Sequence, residues 1–233
     1  MPSVLSFACT ANDAYCDSCQ APDAEMGPFI AGWLRAGEFV KQEYLGSGFF
    51  GRAYKNRDSS EVIIAYRGTE LTDFGDLNAD RLIATGQIPE GQISQALLLF
   101  DDVSSVLGGK SIFLTGHSLG GFLAAYVAIV KGVPSVIFNA PGLTLEMVKR
   151  ISPYGSCDQI THFRAIDDII SKVGSLCGTV FDIDLSTDSP IANNIPYNLG
   201  RAIKHHSMKA FVKYFQGRFV EGQRYIISQS ASF

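Results

Sequence analysis

With 233 residues, 46% hydrophobic and 18% charged, the chain is long enough to bury one full α/β core without covalent or metal staples. A formal net charge of −4, with Lys and Arg dispersed rather than clustered, excludes the basic footprint of a nucleic-acid binder. No apolar run approaches the roughly 18 residues that cross a bilayer, so a soluble or peripheral protein is expected.

The N-terminal stretch carries no Lys or Arg before Arg35 and so lacks the charged region of a secretory signal peptide; it is expected to belong to the fold. That points to a cytoplasmic protein or to one exported by a signal-independent route. Five cysteines (Cys9, Cys16, Cys19, Cys157, Cys177) make an odd number, and reduced thiols are the expectation. Cys16 and Cys19 form a C-x-x-C pair, but no second pair or spaced His pair completes a tetrahedral site, so no metal is predicted.

Along the chain, the apolar spacing of residues 11–39 predicts one or two helices. Residues 49–54 and 62–66 then read as strands flanking a turn at 56–60. Further on, the pattern predicts an amphipathic helix over 92–107, a buried strand over 111–115 and a helix rich in small residues over 119–131. A strand over 135–138, a helix over 144–151, an extended segment over 160–166 and a helix over 207–216 follow. This alternation predicts an α/β fold, one domain over 1–233, with a mostly parallel central sheet, helices on both faces and antiparallel first strands.

The sequence Gly116-His117-Ser118-Leu119-Gly120-Gly121 has the G-x-S-x-G pattern, and it lies directly after a predicted buried strand and before a predicted helix. That context gives the pattern chemical meaning. A serine at such a turn needs unfavourable backbone angles, and the glycines remove Cβ atoms that would collide as strand and helix pack. The helix N-terminus behind Ser118 favours developing negative charge.

A lone serine hydroxyl is a weak nucleophile, so a histidine base and a carboxylate to orient it are required. Chain order on this kind of fold is Ser, then acid, then His. His117 lies within the elbow and His162 on a strand ahead of the acid candidates, which leaves His205 and His206 before the last helix. Asp167-Asp168 follows a predicted strand, where sites assemble at the carboxyl edge of a parallel sheet. Two adjacent side chains cannot both face one imidazole, and spacing leaves Asp167 or Asp168, and His205 or His206, open.

Several motifs add to this. They are Ala65-Tyr66-Arg67-Gly68-Thr69 against an F-R-G-[ST] strand end, the Gly116–Gly121 elbow, Phe138-Asn139-Ala140-Pro141-Gly142, Asp168-Ile169-Ile170-Ser171 against D-x-V-[PS], and His206-Ser207-Met208 against H-S-[LM]. From about Ala11 to the last helix the chain thereby resembles the class 3 lipase family, bacterial phospholipase A1-like members included. The resemblance implies an α/β-hydrolase fold and selects Asp168 and His206 beside Ser118. It also implies an oxyanion hole from the backbone N–H groups of Thr69 and Leu119, and a lid at about 71–88, where Phe74, Leu77, Leu82 and Ile83 offer an apolar face to lipid. Arg67 is expected in a structural ion pair.

The expected function is hydrolysis of carboxylic esters of lipids, lipase or phospholipase A1-type, through a Ser-His-Asp triad and an acyl-enzyme, with no cofactor. The expected contacts are a lipid or other ester substrate and a peripheral membrane surface, and an inhibitor protein if the chain is an exported effector. An esterase for small soluble esters and a non-catalytic hydrolase-like binding module are the competing readings.

Overall fold

A computed structural model describes residues 1–15, 33–42, 48–68, 90–107, 110–185 and 206–219. Helix α1 (Val4–Asp13) leads into β1 (Trp33–Gln42), β2 (Phe50–Asn56) and β3 (Glu61–Tyr66). Then come α2 (Glu90–Val106), β4 (Ser111–His117), α3 (Leu119–Lys131), β5 (Ser135–Phe138) and α4 (Leu145–Ile151). The last elements are β6 (Ile160–Ala165), β7 (Thr179–Ile183) and α5 (Met208–Phe219). The strands form one sheet in the order β1-β2-β3-β4-β5-β6-β7. The β1–β2 and β2–β3 pairs are antiparallel, and every later pair is parallel.

Both faces of this sheet are covered, which is why its central strands are apolar throughout rather than alternating. On β3, Val62, Ile64 and Tyr66 pack on one side with Leu99 of α2 and Phe122 and Leu123 of α3. Ile63 and Ala65 turn the other way and join Phe7 of α1 and Phe211 and Phe215 of α5. The parallel register sets Tyr66 beside Gly116, His117 beside Phe138, and Phe138 beside Phe163, so the carboxyl ends of β3 to β6 share one edge. Functional side chains gather at such an edge.

Two expectations are corrected here. Residues 11–39 do not form helices throughout: α1 ends at Asp13, and Trp33–Gln42 is a strand. A register irregularity between Arg35 and Val40 breaks the period of two that would mark β1 in the sequence. Helix α1, in turn, is buried nearly all round, from Val4 to Ala11, so it has no polar stripe to reveal it. The second correction concerns the thiols, because Cys157 and Cys177 form a disulfide with their Cα atoms 5.3 Å apart. Cys9 is a free buried thiol, pushed up to about 12 by burial and by nearby Asp13; Cys16 and Cys19 lie outside the described residues.

The end of α1 is anchored by charge. Asp13, fully buried, accepts from Arg35 Nε (2.8 Å), Arg52 Nη1 (3.3 Å) and Tyr54 Oη (2.8 Å), which ties α1 to β1 and β2. Arg67 lays its guanidinium over the Phe50 ring, 4.8 Å from the centroid. Among the described residues no helix is long and apolar enough to cross a membrane.

Candidate active site

β4 runs buried to its end, and the chain reverses at Ser118 with φ 56° and ψ −129°. For a residue with a Cβ this is a strained conformation, costing about 1–3 kcal/mol. It persists because the neighbours leave no alternative. A Cβ on Gly116 would stand 2.2 Å from Gly120 O, and one on Gly120 would stand 2.1 Å from Tyr66 O. Helix α3 therefore starts in contact with the ends of β3 and β4, with Ser118 at its N-cap. Gly121 and Phe122 donate to Ser118 O (3.0 and 3.1 Å), while the N–H of Leu119 precedes the first intrahelical bonds.

Asp168 lies in the loop after β6 and is fully buried, whereas Asp167 is only half-buried. Its Oδ1 faces His206 Nδ1 at 2.6 Å, and its Oδ2 accepts from the Ser171 backbone N–H at 2.7 Å. Burial would raise the carboxyl, but the hydrogen bond and charge of His206, with the Ser171 bonds, outweigh it and hold the pKa below the ordinary carboxylate value. Asp168 is therefore an anion, and His206 Nδ1 carries the proton between them. That leaves Nε2 of His206 as the basic nitrogen. No hydrogen bond joins Ser118 Oγ to His206 Nε2 in this structure.

The three residues are nevertheless linked by a closed circuit. Ser118 N–H donates to Phe138 O (3.0 Å), and the next residue, Asn139, donates to Phe163 O (3.0 Å) and accepts from Ala165 N–H through its side chain (2.8 Å). Asp168 N–H donates to Ala165 O (3.0 Å), Asp168 holds His206, and the carbonyl of His206 bonds His117 Nε2, beside Ser118. Further bonds steady the acid loop from below, Gly142 N–H to Val173 O (2.7 Å) and a bridge between Leu143 and Ser175, and the disulfide ends that loop.

Thr69, His205 and the segment 71–88 with Phe74, Leu77, Leu82 and Ile83 lie outside the described residues. Sequence reasoning set His117 aside as a mere neighbour of the nucleophile. A signal was present in the period of two: Phe113, Thr115 and His117 share the face of β4 that α1 and α5 cover, the side from which His206 arrives. His162 has a different role. Its Nε2 accepts the Ala140 N–H (3.1 Å), and burial followed by the Arg164 charge lowers its pKa to about 4, so it stays neutral as a brace between β5 and β6. No cluster that could hold a metal is present among the described residues.

Comparison with known proteins gives this geometry its context. The extracellular phospholipase A1 of Serratia liquefaciens is 33% identical over 106 residues, which is 46% of this chain and 31% of that protein. The Lip2 lipase of Yarrowia lipolytica has a TM-score of 0.59 over 87% of this chain and 90% of its own, at 16% identity. A triacylglycerol lipase whose catalytic centre is formed by a serine protease triad has a TM-score of 0.59 over 86% and 91% of the two chains, at 13% identity. Likeness at such identities is one of fold, and the fold is that of the α/β-hydrolases. The chain spans about a third of the length of the curated relatives it matches. A family model described as a Tle-like phospholipase domain matches residues 7–177, from α1 through the elbow and the Asp168 loop. The chain belongs to that Tle-like phospholipase family.

Proposed function

We propose that the chain hydrolyses carboxylic esters of lipids, phospholipid acyl esters included, with Ser118 as nucleophile, His206 as base and Asp168 as the orienting anion. The single observation that carries this is the buried Asp168–His206 pair at 2.6 Å, tied by a hydrogen-bonded circuit to a strained serine at the strand-to-helix turn. Asp168 sets the tautomer that leaves a basic Nε2 on the side of the ring away from the carboxylate. As a substrate carbonyl approaches Ser118, Nε2 takes the hydroxyl proton; catalytic hydrogen bonds are often long in the free enzyme and tighten in the complex. Attack gives a tetrahedral oxyanion, stabilised by the N–H of Leu119 at the start of α3 and by the N–H of Thr69. The imidazolium then protonates the leaving alcohol, and water hydrolyses the acyl-enzyme by the same steps in reverse order.

A fluorophosphonate probe tests the nucleophile: labelling of the wild type and none of Ser118→Ala is expected, and an unlabelled wild type rejects the triad. Lipid specificity is a separate measurement. Rates on phosphatidylcholine vesicles and on long-chain esters should jump above the substrate's solubility limit; a smooth curve with preference for two- to four-carbon acyl esters would instead favour a small-ester esterase.

A further inference from the structure

His117, buried at the end of β4, and Tyr15, half-buried just after α1, are polar groups that this mechanism does not use. Tyr15 Oη lies 2.8 Å from His117 Nδ1, with His117 O more distant at 3.4 Å, and His117 Nε2 bonds the carbonyl oxygen of His206. A carbonyl only accepts, so Nε2 must carry the proton and donate. The other tautomer would press two lone pairs together. With Nε2 protonated and the ring neutral, Nδ1 is an acceptor, and the Tyr15 hydroxyl donates to it. Neutrality follows from the surroundings: burial first, then the neighbouring His206, lower the His117 pKa to about 3.

We propose that Tyr15 and His117 are positioning residues for hydrolysis: Tyr15 locks the tautomer of His117, and His117 fixes the peptide of the base His206. The inference rests on the reading of His206 as base. Asp168 holds only the His206 ring, whereas His117 holds its main chain, in a turn just before α5. Ring and peptide together leave Nε2 one direction. The His117 ring also lies against that of His206, with centroids 4.6 Å apart. Because His117 is neutral, it does not repel the imidazolium that forms there. Tyr15 is in turn placed by the buried Asp13 anchor two residues earlier, and it reaches the elbow directly: its hydroxyl and Ser118 Cβ crowd the same face of Gly68, 2.5 and 3.1 Å from where a Cβ would stand.

The test compares Tyr15→Phe, His117→Phe and His117→Gln, after thermal melts show that each is folded. His117→Phe should lower kcat about a hundredfold with KM unchanged, as a misdirected base does. Tyr15→Phe, losing one hydrogen bond, should lower kcat about tenfold. His117→Gln keeps an N–H donor at the place of Nε2 and should return kcat to within about threefold of wild type. The low-field proton resonance of the His206–Asp168 bond should broaden in His117→Phe and stay sharp in His117→Gln. Wild-type kcat in either Phe variant, a loss that falls on KM, or a Gln variant as slow as Phe overturns the positioning role. A wild type that resists a fluorophosphonate fails the hydrolase reading itself, which separates the two outcomes.

Discussion

Ser118 and His206 are held by different means. The serine is fixed through the backbone around it: Gly116 and Gly120 let β4, α3 and β3 close together, and the Phe138 carbonyl at the end of β5 takes its amide. The histidine sits in a turn, and its described bonds come from residues 38 and 89 positions away, Asp168 and His117. Backbone sterics at the elbow make the proposed nucleophile stiff, whereas side-chain bonds across the sheet edge direct the proposed base. Chemistry at Ser118 should therefore fail outright when the serine is lost, and by degrees when the assembly is loosened.

The largest effect expected is for Ser118→Ala, which should lower kcat by about 10⁶ while the protein still melts cooperatively. Steady-state assay beside a thermal scan checks it, and loss of the transition together with activity would mean that the elbow is a folding determinant more than a reactive site. Next is Asp168→Asn, expected to cost about 10⁴ in kcat because the wrong tautomer of His206 is favoured. A loss under tenfold would show that the base is directed mainly by its main chain.

Acid stability separates the two kinds of support in another way. His117 and His162 take up protons near pH 6.5 in the unfolded chain but only near 3 and 4 when folded. Between these values the unfolded state binds more protons. Their contribution is complete above about pH 6.5 and is lost as the pH falls through the window, on the order of 5 kcal/mol for His117. Asp168, held low by His206, contributes stability above the ordinary carboxylate pKa that is lost further into acid. Denaturant titrations at a series of pH values should show this decline, and a flat profile between pH 7 and 4 would contradict buried neutral histidines.

The smallest effect concerns the acid loop. The Cys157–Cys177 bridge spans 20 residues and includes Asp168, and its loss in a double Ser variant should cost about 3 kcal/mol of stability. With Leu143 and Ser175 still bonded, kcat of the folded fraction should fall only a few-fold. Unchanged stability in that variant would show that the loop is held by its backbone bonds alone.

Much of this was legible before any coordinates. The helix 119–131 and the strand 135–138 have their expected ends, because a strand buried on both faces and a helix rich in small apolar residues each leave a continuous signal. Strand β1 hid behind its irregular register, and β7, largely exposed at the sheet edge, has no apolar run to announce it. Pairing of Cys157 with Cys177 could not be read from five thiols, since connectivity is a matter of distance in the folded chain.

The sequence by itself determined the elbow, since glycine, serine and the flanking strand and helix are contiguous and Gly116 meets Gly120 within a turn. Spacing left the acid and the base open by one residue each, and the family resemblance chose between them. Only the tertiary structure decided that Asp168 rather than Asp167 is the carboxylate buried against His206, and that Tyr15 and His117 stand behind it. Those contacts join residues 38 to 102 positions apart, and a hydrogen bond across such a distance is set by how the sheet edge closes rather than by any local pattern.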